Sequence, residues 1–136
     1  MDLLNRISGN KFLLDLFPSG LEQPLFLGQI SLDVGGRLSF NLHTRQRPAM
    51  EVRKWGQRGQ NYNTIVIKLF AHAGADMRIG NWREARYCAL RLEEEGDMLR
   101  LTQPSGDFSL DLLVSHPLFQ ECSVYLDGAD DEAADV

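Results

Sequence analysis

Residues 26–42 read FLGQISLDVGGRLSFNL, and this stretch decides the fold class. Apolar and polar residues alternate on both sides of the paired glycines Gly35 and Gly36. A period of two is the pattern of a half-buried β-strand, and two such runs across a two-glycine link predict an antiparallel hairpin. The positions predicted to face inward are Phe26, Gly28, Ile30, Leu32, Val34, Leu38, Phe40 and Leu42.

The same alternation continues through the rest of the chain. Further runs centre on residues 65–71, 77–79, 88–92, 99–101, 108–114 and 122–126. Most links between them are too short for the crossover helices of a parallel sheet. The predicted fold is therefore mainly β: an antiparallel meander of about eight strands forming a curved sheet, sandwich or barrel.

A short helix is predicted before the strands. Phe12, Leu13, Leu16 and Phe17 follow helical spacing after the capping residue Asn10, and Pro-Ser-Gly at 18–20 ends the run. A length of 136 residues fits one core, so we expect a single β-rich domain over residues 1–128. Residues 129–136 are acidic and carry no hydrophobic pattern, which predicts a disordered tail.

Composition predicts a soluble cytoplasmic protein. No apolar run approaches the roughly 18 residues that cross a bilayer, and the beginning, MDLLNRI, lacks the features of a secretory signal. Cys88 and Cys122 occupy predicted inward positions, so we expect buried free thiols in a reducing compartment. The net charge of -5 argues against a whole-molecule affinity for nucleic acid.

Charge is distributed unevenly, and two clusters are candidate contacts for a protein partner. One is an acidic turn near residue 95, which could also serve only to prevent edge-to-edge aggregation. The other is the long basic loop at 44–63, in which Trp55 could instead anchor the loop to the core. Because Arg, Trp and Tyr often dominate interface energetics, we nominate Arg53, Trp55, Arg58 and Tyr62 on the loop and Glu93, Glu94, Glu95 and Asp97 on the turn.

Motifs for catalysis or cofactor binding are missing from the sequence. There is no GxxxxGK phosphate loop and no GxGxxG after a strand, and the SxxK at 8–11 lacks its companion motifs. His43, His72 and His116 show no metal-binding spacing. We expect no catalytic residue, no cofactor and no metal. An enzyme would need a concave pocket in which one of these histidines meets a carboxylate or thiol.

From about Phe12 to Tyr125 the chain resembles the immunity protein 50 family of bacterial polymorphic toxin systems. The pattern comprises LLDLFP at 13–18, ISL at 30–32, LSF at 38–40, KW at 54–55, NTIVIKL at 63–69, IGNW at 79–82 and VY at 124–125. The resemblance implies a cytoplasmic protein that binds and neutralises a cognate toxin domain by occlusion, without catalysis and without a membrane partner.

Other functions stay open from the sequence. A small-ligand or nucleic-acid-binding β-barrel could use the basic aromatic 45–62 loop, in which case oligonucleotide binding should depend steeply on salt. A structural or assembly component would show an extended self-complementary patch. The pattern does not reveal the toxin, the binding face or the oligomeric state.

Overall fold

The computed structural model describes residues 2–128, apart from the side chains of residues 75, 104 and 105, and it is mainly β. The predicted tail at 129–136 lies outside these residues. A 3-10 turn (Leu3–Arg6) and the helix α1 (Lys11–Leu16) precede the strands. The strands are β1 (Phe26–Leu32), β2 (Arg37–Thr44), β3 (Thr64–Gly80), β4 (Arg91–Glu95), β5 (Met98–Ser105) and β6 (Phe108–Tyr125). Two further 3-10 turns cover Arg53–Trp55 and Trp82–Glu84.

The sheet is antiparallel, with strand order β1-β2-β3-β6-β5-β4. It consists of two three-stranded meanders joined by the pairing of β3 with β6, so the chain departs from a simple meander between β3 and β4. The sheet is not closed into a barrel, because β1 and β4 lie at its two edges. The edge regions meet at a bridge between Phe26 and Ala89 and at a 2.7 Å hydrogen bond from the Leu90 amide to the Leu25 carbonyl.

The number of strands in the described residues is six rather than eight, because β3 and β6 each run through two predicted strands. β3 has 17 residues and β6 has 18. Gly74 and His116-Pro117 separate the predicted strands and are of residue types typical of turns, but in the structure they are bulges, where the pairing register of β3 and β6 shifts. Bulges let long strands bend and tolerate Gly and Pro, which explains why turn residues did not end these strands.

The core lies between the inner face of the curved sheet and the N-terminal segment. Leu38, Phe40 and Leu42 on β2 are at most 2% exposed, so the predicted alternation is confirmed there. It is also confirmed by buried side chains on the central strands: Ile65, Ile67, Leu69, Ala71, Leu99, Leu101, Phe108, Leu110, Leu112 and Val114. The predicted helix is confirmed as α1, whose Leu13 and Leu16 are fully buried. No helix among residues 2–128 is long and apolar enough to cross a membrane.

β1 differs from the predicted alternation. Its register with β2 shifts between Leu27 and Gln29, so Leu27 takes the inward place and Phe26 pairs beside His43 on the outer face. The ends of the hairpin project beyond the core, which leaves Leu32 55% and Val34 93% exposed. The predictions that Phe26, Leu32 and Val34 face inward are therefore wrong, because a bulge and a projecting turn break the period of two.

Candidate functional site

The connection between β3 and β4 carries exposed aromatic and arginine side chains. Residues 82–87 read WREARY, and each of them is exposed. The Trp82 ring meets Phe108 edge-to-face at a centroid distance of 5.7 Å, and the Tyr87 ring stacks on Phe26 at 4.8 Å. Because these contacts restrict the two rings, little side-chain freedom is lost when a partner covers them. Rings that are exposed but held in place suit a contact surface.

A histidine–tyrosine cluster connects this segment to β2 and β6. The His43 Nδ1 atom lies 3.0 Å from the Tyr125 hydroxyl, and the imidazole contacts the Tyr87 and Tyr125 rings edge-on at 5.3 and 5.6 Å. Burial lowers the pKa of His43, which favours the neutral imidazole. Burial, followed by the hydrogen bond to Tyr125, raises the pKa of Tyr87. His43 and Tyr87 are therefore uncharged near pH 7, and the contacts of the cluster fix Tyr87 against the sheet.

Glycine at position 28 makes room for this cluster. A Cβ atom at Gly28 would lie 2.1 Å from the His43 Nε2 atom, much closer than van der Waals contact allows. The bulge at Gly28 therefore does two things: it turns Phe26 outward beneath Tyr87, and it leaves space for the imidazole.

Two arginines continue the cluster toward the loop at 44–63. Arg45 Nη2 lies 3.0 Å from Asp127 Oδ2, and Arg58 donates a hydrogen bond to the Arg45 carbonyl. Asn63 bonds both the amide and the carbonyl of Asp127, which positions its carboxylate. We group the exposed aromatic and arginine residues of 82–87 with the neighbouring residues of this cluster and call them the aromatic–arginine surface: Arg45, Arg58, Trp82, Arg83, Arg86, Tyr87 and Tyr125.

Trp55 and Tyr62 lie inside the loop rather than on its surface. Trp55 is 7% and Tyr62 3% exposed, and the two rings meet at 5.8 Å. Trp55 also contacts Phe12 beside α1 at 6.0 Å, so the prediction that it anchors the loop is confirmed. Burial removes both aromatic residues from the nominated partner contacts. Arg53 remains exposed, and Arg58 is half-buried at the edge of the aromatic–arginine surface.

The nominated acidic residues lie on the exposed β4–β5 hairpin, and the chain itself engages two of them. Arg100 bonds Glu95 and Asp111, and the hydrogen bond from Arg100 lowers the pKa of Glu95. Arg6 lies 3.7 Å from Glu94. Glu93 and Asp97 are exposed and form no ion pair with residues 2–128.

The structure does not join the nominated acidic and basic residues into one surface. The hairpin packs against β6 at Leu113 and Val114. The basic loop instead adjoins the far end of β6, at Tyr125.

The two cysteines are free and only half-buried. Burial raises the pKa of the Cys122 thiol to about 12, so its nucleophilic thiolate form is disfavoured. Residues 2–128 contain no group of three or more His, Cys, Asp or Glu side chains arranged to hold a metal ion.

Trp82 is a functional candidate that the sequence analysis did not nominate. Its side chain is 52% exposed. Asn81 before it has φ 58, a left-handed conformation that turns the chain away from the core. The composition of WREARY, with two aromatic and two arginine residues in an unalternating run, was the available signal.

Comparison with known proteins gives no relative. The chain matches no protein-family model, and no curated protein or solved structure matches it significantly. The resemblance to the immunity protein 50 family therefore stays a prediction that rests on the spacing of strands and tryptophans.

Proposed function

We propose that this protein is a bacterial, cytoplasmic immunity protein that binds a cognate toxin domain and neutralises it by occlusion, without catalysis. The observation that carries the proposal is the aromatic–arginine surface, on which Trp82 and Tyr87 are exposed yet held by Phe108 and Phe26. Trp, Tyr and Arg are the residues most enriched among interface hot spots. The sequence resemblance supports the same function independently.

The charge of the surface defines the chemistry of its partner. Segment 82–87 carries two arginines and one glutamate, whereas the whole chain has a net charge of -5. A basic patch on an acidic protein orients the approach of an acidic partner face and raises the association rate. We therefore infer a toxin face that is acidic, contains an apolar recess for Trp82, and has an area of about 800 Å².

Co-expression with the toxin-like product of a neighbouring gene tests the function. The wild-type protein should restore growth and co-purify with the toxin. Failure of both with every neighbouring candidate would contradict the immunity function.

Surface variants test where the toxin binds. Trp82→Ala and Arg86→Glu should each weaken binding at least about tenfold, as expected for hot-spot residues, while the unfolding temperature stays unchanged because both side chains are exposed. Arg91→Glu is the matched control, since Arg91 is exposed on β4 outside the surface. If only reversal of Glu93 and Asp97 abolishes rescue, the acidic hairpin is the binding site instead.

A nucleic-acid-binding function is the second candidate, because exposed aromatic rings beside arginines also suit stacking against single-stranded bases. The open sheet is not a barrel, so such binding would use the aromatic–arginine surface and the 45–62 loop. Oligonucleotide anisotropy at low and high salt separates the two functions. Tight binding that falls steeply with salt would favour nucleic acid.

A further inference from the structure

A cleft of about 280 Å³ lies at the other end of β2, beside the bulge between β3 and β6. The hairpin tip forms one wall and is tied to β3 by a 2.6 Å hydrogen bond from the Ala73 amide to the Gly36 carbonyl. This cleft is separate from the aromatic–arginine surface, which adjoins the opposite end of β2 at His43 and Arg45.

Four polar side chains line the cleft: Asp33, Arg37, His72 and His116. None of them forms a side-chain hydrogen bond or ion pair with residues 2–128. Arg37 is directly opposite His72 in the β2–β3 register, and His72 is opposite Ser115, the neighbour of His116. Three adjacent strands thus bring a guanidinium and two imidazoles to one place, with their hydrogen-bonding capacity unused.

The backbone at His116 is strained in a way that points to a role for this side chain. Its φ is 52, in the left-handed region that non-glycine residues rarely adopt. Glycine would occupy this bulge with less strain, yet the chain has histidine there. Bulges re-aim side chains, and strained residues concentrate at functional sites.

The walls of the cleft are partly apolar. Phe70 is 40% and Leu118 45% exposed, and both line it. The Lys68 ammonium lies 5.9 Å from the centre of the Phe70 ring and adds a further cation nearby. The cleft therefore combines an apolar wall with a basic rim.

We propose that this cleft binds a small organic anion, a carboxylate or phosphate carried on a single apolar ring. Arg37 would hold two oxygens of the anion in a bidentate arrangement, with N–H groups of His72 and His116 donating to the remaining lone pairs. The ring would lie against Phe70 and Leu118. A volume of about 280 Å³ is at the lower limit for ligand pockets, which matches a one-ring compound. Asp33 favours a ligand that also carries a hydroxyl or amino donor.

Amide chemical shifts in titrations of the full chain test the site. Benzoate and phenyl phosphate are the anionic probes, and benzamidine is a cationic probe of the same size. Either anion should give saturable shifts confined to residues 33–37, 70–72 and 115–118, with Kd on the order of 0.1–1 mM for so few contacting atoms. The stronger of the two identifies the preferred head group. Absence of saturable shifts with both anions, or equal binding of benzamidine, would overturn the proposal.

Two variants separate a binding role from a structural one. Arg37→Gln should weaken the anion at least about tenfold, while Arg91→Gln, an exposed control on β4, should leave Kd unchanged. His116→Gly should raise the unfolding temperature by relieving the strain and at the same time weaken binding. A His116→Gly protein that is less stable but binds with unchanged affinity would assign His116 a purely structural role and contradict the proposal.

Discussion

Gly28, which has no side chain, determines how several neighbouring side chains pack. The bulge at this position places Phe26 outward, where it supports the exposed ring of Tyr87. The missing Cβ leaves the space into which the His43 ring packs. Gly28 does not have a positive φ, so its importance comes from space rather than from backbone conformation.

We expect Gly28→Ala to lower the free energy of unfolding by about 1–3 kcal/mol, the usual cost of overpacking. The added methyl would overlap the imidazole, whose hydrogen bond to Tyr125 opposes its displacement. Urea denaturation measures the change. Gly128→Ala is the control, since no atom of residues 2–127 lies within 4 Å of a Cβ there and its φ is not positive.

A double variant separates this clash from other causes. In Gly28→Ala/His43→Ala the overlapping ring is gone, so the alanine at 28 should cost much less than it does beside histidine. An equal cost in both backgrounds would show that His43 is not the group that the methyl meets.

Two elements each carry one tryptophan, and their environments are opposite. The 3-10 turn Arg53–Trp55 directs Trp55 into the core, between Phe12 and Tyr62. The turn Trp82–Glu84 leaves Trp82 on the surface, where its ring meets Phe108 edge-to-face. The same residue type therefore anchors a loop in one element and is exposed at the surface in the other.

Trp55→Ala should destabilise the protein by about 3–5 kcal/mol, because it removes a large buried side chain from a close-packed site. Limited proteolysis should then cut first within the 44–63 loop, which loses its anchor. Trp82→Ala should change the free energy of unfolding by less than about 0.5 kcal/mol, as exposed substitutions do. Comparable losses from the two variants would contradict the opposite roles.

The sequence predicted which elements form better than it predicted where they end or which residues meet on the surface. Alternation located β2, β5 and the inward faces of β3 and β6, because burial on one face imposes a period of two. It did not detect that β3 and β6 continue through Gly74 and Pro117, since a bulge and a turn use the same residue types. Of the seven residues that define the aromatic–arginine surface, the sequence predicted one as a partner contact. Arg58 was nominated, but Tyr87, Tyr125 and His43 are brought together by strand pairing that no local pattern encodes.

At the scale of the whole molecule, the centre of the open sheet is extensively paired, whereas its two edges meet at only a few bonds. We call this contact between the edges the seam. β3 and β6 pair with each other over most of their lengths and each has a second neighbour, whereas β1 and β4 each have one. The two edges meet near Phe26 and Ala89, where the Leu90 amide bonds the Leu25 carbonyl. The exposed residues 82–87 come shortly before Ala89 in the chain, so opening of the seam would move part of the proposed binding surface.

Native-state hydrogen exchange should therefore separate the centre from the seam. Amides of residues 65–69 and 110–114 should exchange only through global unfolding, because both sides of their strands are paired. The Leu90 amide is buried and hydrogen-bonded, yet few other bonds support it. We expect it to exchange through a local opening whose free energy is lower and barely depends on denaturant, since little surface is exposed. If the Leu90 amide is as protected from exchange as the amides of the central strands, the two edges are joined as strongly as the strands themselves. The entire sheet then unfolds as one unit, and the surface at 82–87 is rigid.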